Sequence, residues 1–241
     1  MSKLPTILRT LGRPAGGAIG FAPAAGRRSA QQLIVAAEVA SAGEATAAVE
    51  AGAGMVVAPD TASVAAIAEA AGSAVVAVRI AAATAGEVKT AREAGADLFL
   101  FDDAESEAAA LLDREIGGAL LLGDDRSEER LRSVATLAAE AVVITAPATL
   151  TVRDQLAMRR VAELTHKPLI AVTDSAPDAT TLEVWRDAGA PIVLLTGGDA
   201  AAVGALRAAA DAVPRPRQRN DERPAALVPL PDGDIDAEEL E

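Results

Sequence analysis

Three stretches of this chain repeat one phrase: EAGAGMVV (50–57), EAGADLFL (93–100) and DAGAPIVL (187–194). In each, a segment that reads as helix stops at a glycine, and an apolar run begins within two residues. A glycine just past a helix end takes the left-handed conformation at no steric cost, so the phrase predicts a helix that turns straight into a strand. An apolar run without polar alternation predicts a strand buried on both faces, as in a parallel sheet.

Working outward from these stretches, the same phrase in looser form recurs along the chain. The expected strands are LIVAAE (33–38), GMVVAP (54–59), AVVAVR (74–79), DLFLFD (97–102), GALLLG (118–123), AVVITA (141–146), PLIAVT (168–173) and PIVLLT (191–196). Their starts lie 20 to 27 residues apart, the length of a strand, a helix and two short loops. Helix starts are marked too. Ser41–Glu44, Thr84–Glu87 and Asp125–Glu128 are spaced as capping boxes. Thr61, Asp103, Thr151, Asp178 and Asp199 stand where a simple N-cap would.

Eight even βα units with right-handed crossovers can close into a ring or open into a doubly wound sheet. An open sheet usually carries GxGxxG after its first strand, and here that turn reads EVASAGEA. The reading is therefore a single α/β domain, a (βα)₈ barrel over 33–214, preceded by an arm (1–32) and followed by an extended or disordered tail (215–241). A chain of 241 residues suits one such barrel. Aromatics are only 2% and Trp185 is the lone tryptophan, so Ala, Val, Leu and Ile must fill the core.

The ends differ in charge. Lys3, Arg9, Arg13, Arg27 and Arg28 give the first thirty residues five bases and no acid, while 215–241 holds four Arg against eight acids. The net charge of −13 therefore sits mainly on the barrel. An acidic body repels nucleic acid and anionic membranes, so neither is expected as a partner. No apolar run is long enough to span a bilayer, and the N-terminus lacks a continuous apolar signal core, which reads as a cytoplasmic protein. Leu4–Leu11 predicts a short helix that would plug the bottom of the barrel. The tail segment AALVPL (225–230) is a candidate docking peptide or part of a solubilising tail.

In this fold, reactive groups stand at the C-terminal ends of the strands. Polar residues there include Glu38, Asp60, Arg79, Asp102, Asp103, Asp124, Asp125, Arg126, Thr173, Asp174 and Thr196, with Gly197–Gly198. Asp60, Asp103 and Asp125 lie beside helix starts and read first as caps. Glu38 and Arg79 have separate caps several residues on. By two-residue alternation they share a face with Ala36 and Ala77, which points them into the mouth. Two roles fit them: a structural ion pair, or a substrate-carboxylate clamp beside a general base.

Absences narrow the chemistry. There is no cysteine, which removes disulfides, thiolate metal sites and cysteine nucleophiles. Lys3, Lys89 and Lys167 end no strand, so a Schiff-base mechanism is not expected. The only histidine, His166, falls at a helix end on the opposite face from the mouth. Acids, Thr and Arg remain. Clustered carboxylates can raise each other's pKa or hold a hard cation such as Mg²⁺.

The last strand runs into TGGD (196–199), where paired glycines ahead of a helix let backbone amides approach an anion. On Thr196, Gly197, Gly198 and Asp199 the chain loosely resembles phosphate- and flavin-phosphate-binding TIM barrels of the inosine monophosphate dehydrogenase and nitronate monooxygenase types. It departs from them in the seventh-strand loop, TDSAPDAT (173–180), which has no glycine, and in having no cysteine nucleophile. Its acidic mouth is similar in kind to carboxylate-metal barrels of the class II aldolase and phosphoenolpyruvate mutase types, without a shared motif.

Two functions follow as expectations. One is a lyase or isomerase acting on a small anionic metabolite, with Mg²⁺ assisting. Glu38 would be its base or ligand, Arg79 its carboxylate clamp, Asp102 and Asp124 acids or metal ligands. Thr173, Asp174, Thr196, Gly197 and Gly198 would bind ligand. The other is a non-catalytic barrel that assembles as a homo-oligomer through its basic arm and acidic tail.

Overall fold

A computed structural model describes residues 3–11, 31–147 and 149–216. The eight strands are β1 (Ile34–Glu38), β2 (Met55–Ala58), β3 (Val75–Arg79), β4 (Leu98–Phe101), β5 (Gly117–Leu121), β6 (Ala141–Thr145), β7 (Leu169–Thr173) and β8 (Ile192–Leu195). All pair in parallel with their sequence neighbours, and β8 returns to β1 through Ile34↔Ile192 to close the barrel. Each strand falls within two residues of its expected position.

The helices are α1 (Leu4–Thr10), α2 (Ala42–Glu50), α3 (Val64–Ala71), α4 (Ala85–Glu93), α5 (Glu128–Thr136), α6 (Val152–Thr165), α7 (Ala179–Asp187) and α8 (Ala200–Ala212). The repeated glycine phrase does what its sequence implies: Gly52, Gly95 and Gly189 have φ of 102°, 104° and 99°. His166 ends α6 at φ 53°, in the left-handed region, on the face away from the mouth.

Most caps are where the spacing puts them. Ser41, Thr84, Thr151, Asp178 and Asp199 each accept a backbone N–H from the first turn of their helices. Three expected caps are corrected. Ser127, not Asp125, caps α5, and Asp125 instead accepts from the Ser127 amide at 2.9 Å. Thr61 caps nothing: α3 begins at Val64, and Asp60 takes the Ser63 amide at 2.9 Å. Asp103 has no α-helix to cap, because the fourth unit carries only a five-residue 3₁₀ helix, Ala108–Leu112. Asp103 pairs with Arg130 of α5 instead.

That missing helix has a visible compensation. Two of the chain's three phenylalanines, Phe99 and Phe101, stand on the outward face of β4 with ring centroids 5.3 Å apart. Gly118 on β5 leaves them room, since a Cβ there would come within 3.1 Å of the Phe101 ring. Large flat side chains thus fill, from the sheet side, volume that an α-helix occupies in the other units.

Burial divides the core in two. Outward side chains of the strands pack against the helices in one cluster. Inward ones, including Ile34, Met55, Leu98, Leu100, Ile170 and Ile192, fill the barrel interior in another. Leu4 of α1 belongs to the interior cluster and is fully buried. Lys3 Nζ lies 3.1 Å from Asp97 at the start of β4, which ties the arm to the barrel's lower rim. The described part of the arm is therefore a plug, as its apolar spacing implies. Leu4→Ala is expected to cost about 2 kcal/mol or more, read as a lower denaturation midpoint in urea. Lys3→Ala is expected to cost little, because Lys3 is half exposed and Asp97 keeps the Val76 amide as a donor at 3.1 Å.

Asp154 and Asp178 are held below the ordinary carboxylate range, Asp154 chiefly by the Thr151 side-chain hydrogen bond and Asp178 chiefly by the Thr181 backbone amide. A depressed carboxylate contributes stability that is present above its unfolded pKa and lost as pH falls through the folded one. Acidification below the usual carboxylate range should therefore loosen the starts of α6 and α7. The slope of denaturation midpoint against pH should be shallower for Asp178→Asn, which still caps but does not titrate.

Candidate functional site

The C-terminal ends of β1 and β3 place Glu38 and Arg79 inside the mouth. Residues two and four positions before Glu38, and Val75 and Ala77 before Arg79, belong to the interior cluster, so alternation carries both side chains inward. Side chains of alternate strands share a layer in an eight-stranded barrel, which lets Arg79 reach across β2. Its Nη2 forms an ion pair with Glu38 Oε1. The pair is half-exposed, with 30% of the Glu38 and 38% of the Arg79 side chain open to solvent. Glu38 engages one guanidinium nitrogen, and a guanidinium has five N–H donors in a fixed fork. The Nη1 and Nε donors are not used by Glu38.

Two cavities open beside this pair. One, of about 410 Å³, runs from Glu38 past Glu44 to Gly197, Gly198 and Asp199. The other, of about 310 Å³, lies over Val57, Ala58, Pro59 and Arg79. They share Glu38, Val39, Glu44 and Gly197 along their edge. The wall is apolar on the β2 side and polar at Glu38, Arg79 and the β8–α8 turn.

The glycine pair is a built turn. Gly197 has φ 63°, and a Cβ on Gly198 would come within 2.4 Å of the Leu195 side chain. Asp199 caps α8 by accepting the Ala202 amide at 2.9 Å, so its carboxylate occupies part of the helix N-terminus. Thr196 faces the interior side of β8, its amide donating to the Thr173 carbonyl at 2.9 Å.

The remaining candidates are not gathered at these cavities. Thr173 lies on the helix-facing parity of β7, is buried, and its hydroxyl closes a turn with Ser175. Asp174 and Asp124 are exposed on their loops. Asp102 accepts the Ala104 amide at 2.8 Å in the β4 loop. Among the described residues, no three acidic or histidine side chains come together as a metal site. Several of the rim acids are bound locally, Asp60, Asp102 and Asp125 to nearby backbone amides and Asp199 to the start of α8, while Asp103 pairs with Arg130.

Glu44 is the residue that sequence reasoning passed over. Its place three residues after Ser41 marks it as a capping partner, and its Oε2 does accept the Ala40 amide at 2.8 Å. It also borders both cavities. Only closure of β8 against β1 brings it opposite the glycine turn.

No protein-family model matches the chain, and no curated protein does. Solved structures do. A thiamine phosphate pyrophosphorylase from Pyrococcus furiosus is 13% identical with a TM-score of 0.58, over 76% of this chain and 98% of that one. A 3-hexulose-6-phosphate synthase is 20% identical with a TM-score of 0.56, over 73% and 98%. The apo homocysteine methyltransferase of Escherichia coli is 16% identical with a TM-score of 0.54, over 74% and 96%. The fold is a TIM barrel. At these identities the likeness is one of TIM-barrel architecture, and function has to be argued from the mouth itself. Among the described residues, no helix of this TIM barrel is long and apolar enough to cross a membrane.

Proposed function

We propose that this TIM barrel binds a small anionic metabolite at its mouth and acts on it as a lyase or isomerase. The observation that carries the reading is the Glu38–Arg79 pair, held inward by two alternate strands, with Glu38 lining both cavities and Arg79 the smaller one. Arg79 offers its remaining N–H donors to a carboxylate or phosphate oxygen, a charge-assisted contact. Glu38 stands beside that ligand as the group that takes and returns a proton, and the ion pair with the arginine orients it. The Gly197–Gly198 turn lets ligand approach the backbone closely at the far end of the larger cavity. Two of the similar TIM barrels are named for phosphate compounds, which agrees with an anionic ligand. Mg²⁺ would enter with the substrate, held by its oxygens and one carboxylate, since no carboxylate cluster among the described residues is placed to hold it alone.

The test is calorimetric titration with pyruvate-type keto acids, pentose and hexose phosphates and inorganic phosphate, each with and without Mg²⁺. Saturable binding of at least one, weakened about tenfold or more in Arg79→Met and kept in Glu38→Gln, is the expected result. No binding by any of them would overturn the proposal and favour a non-catalytic assembly module.

A further inference from the structure

Outside the mouth, α6 presents an uncovered apolar face. Val152 and Leu156 stand one turn apart on it, 73% and 60% exposed. The arginines Arg153, Arg159 and Arg160 flank them, all exposed. Arg160 Nη2 lies 3.5 Å from Glu128, and Arg159 Nε 3.8 Å from Glu163, in solvent-facing pairs that contribute little. On a protein of charge −13, two exposed apolar side chains flanked by three arginines stand out, even with Arg159 and Arg160 paired to Glu163 and Glu128.

The chain leaves the barrel after α8, with α7 between it and α6. After α8, the Pro214 carbonyl accepts from Arg186 of α7. The next residue of α7, Asp187, gives its carbonyl to Arg159 of α6 at 3.3 Å. Pro216, the last described residue, is thus one helix away from the lower half of α6. Beyond it the sequence reads RQRNDERP, then AALVPL (225–230), then PDGDIDAEELE (231–241), whose six acids have no base among them. The order is apolar, then acidic, which complements an apolar patch ringed by arginine. Reach suffices: eleven residues from Pro216 to Leu227 extend up to about 36 Å, and a helix of α6's length is about 21 Å long.

We propose that segment 225–241 of the same chain docks on α6. Ala225–Leu230 covers Val152 and Leu156, and the acids from Asp232 onward lie against the flanking arginines. The tail then works as a strap over the α6 side of the barrel, with its affinity raised by a high effective concentration.

The absence of cysteine makes the test direct. In the full chain, Leu156→Cys is paired in turn with Leu227→Cys, Val228→Cys and Leu230→Cys, and disulfide formation is followed under mild oxidation. Leu112→Cys is the control, because Leu112 is 77% exposed but lies on the fourth unit, across the barrel. An intramolecular disulfide forming at least about tenfold faster at 156 than at 112 is expected for a docked segment. The advantage should shrink in high salt and with Arg153→Glu and Arg160→Glu. Equal rates at 112 and 156 would overturn the proposal, as would cross-linked species of twice the chain mass, which would mean docking on a second copy.

Discussion

Replacing Trp185 with alanine is expected to destabilise the barrel by about 3–5 kcal/mol, the range for emptying an aromatic core position. Trp185 is fully buried on the inner face of α7 and is the largest side chain in a core otherwise made of small and aliphatic residues. Ala, Val and Leu neighbours cannot swing in to refill the space, so the cavity should persist. At roughly 2–4 °C per kcal/mol for a domain of this size, the melting temperature should fall by about 10 °C. Circular dichroism is the readout, since the variant has no tryptophan left to fluoresce. Trp185→Phe should recover at least half of the loss. The indole Nε1 is buried without a hydrogen-bond partner, and removing an unsatisfied donor returns about 1–3 kcal/mol of desolvation cost. A Phe variant as unstable as the Ala variant would show that the ring's full width, not its burial, holds α7 in place.

The second large effect concerns binding. Arg79→Ala is expected to weaken the anionic ligand by about ten- to a hundredfold, the worth of one or two charge-assisted hydrogen bonds at about 1.5–3 kcal/mol. It also leaves Glu38 facing the ligand unneutralised, which adds repulsion. Because the pair is half-exposed, the same substitution should move the melting temperature little. Arg79→Lys should fall between, keeping the charge and losing the planar fork. A variant that loses stability and binding together would mark the pair as a structural strut. Glu38→Gln separates the roles further: it keeps the shape and a hydrogen-bond acceptor but cannot take a proton, so ligand should still bind and turnover should stop.

The site was legible in part. Glu38 and Arg79 could be singled out because each closes an apolar strand and stands away from any helix cap, so no local role explained it. Asp102, Asp124, Thr173 and Asp174 looked alike on paper. Each is a polar residue at or near a strand end, and nothing in their spacing told which way the side chain turns. Thr173 follows the alternation of β7 to the outward face and closes a turn with Ser175. Asp102 binds its own loop. Local hydrogen bonds competed with the site and won, as they commonly do for Asp and Thr beside a turn. The fourth unit misled in a different way. Asp103 and the apolar AAALL (108–112) suggest a capped helix, yet this segment folds only as a five-residue 3₁₀ helix. Phe99 and Phe101, unusual in a chain so poor in aromatics, were the available signal.

What the sequence determined by itself is the repeat: the glycine that ends a helix, the apolar run that follows, and the hydroxyl or carboxylate that starts the next helix. These are nearest-neighbour matters of backbone conformation and capping, settled within a few residues. Repetition of such units, with one handedness of crossover, leaves few closed forms to choose from. Only the tertiary structure decided the mouth. Glu38 and Arg79 are 41 residues apart in the chain, and they meet because ring closure sets alternate strands at one level. Gly197 faces Glu44 for the same reason, once β8 pairs with β1. Shear and closure are properties of all eight strands together, and no local stretch encodes which side chains they bring face to face.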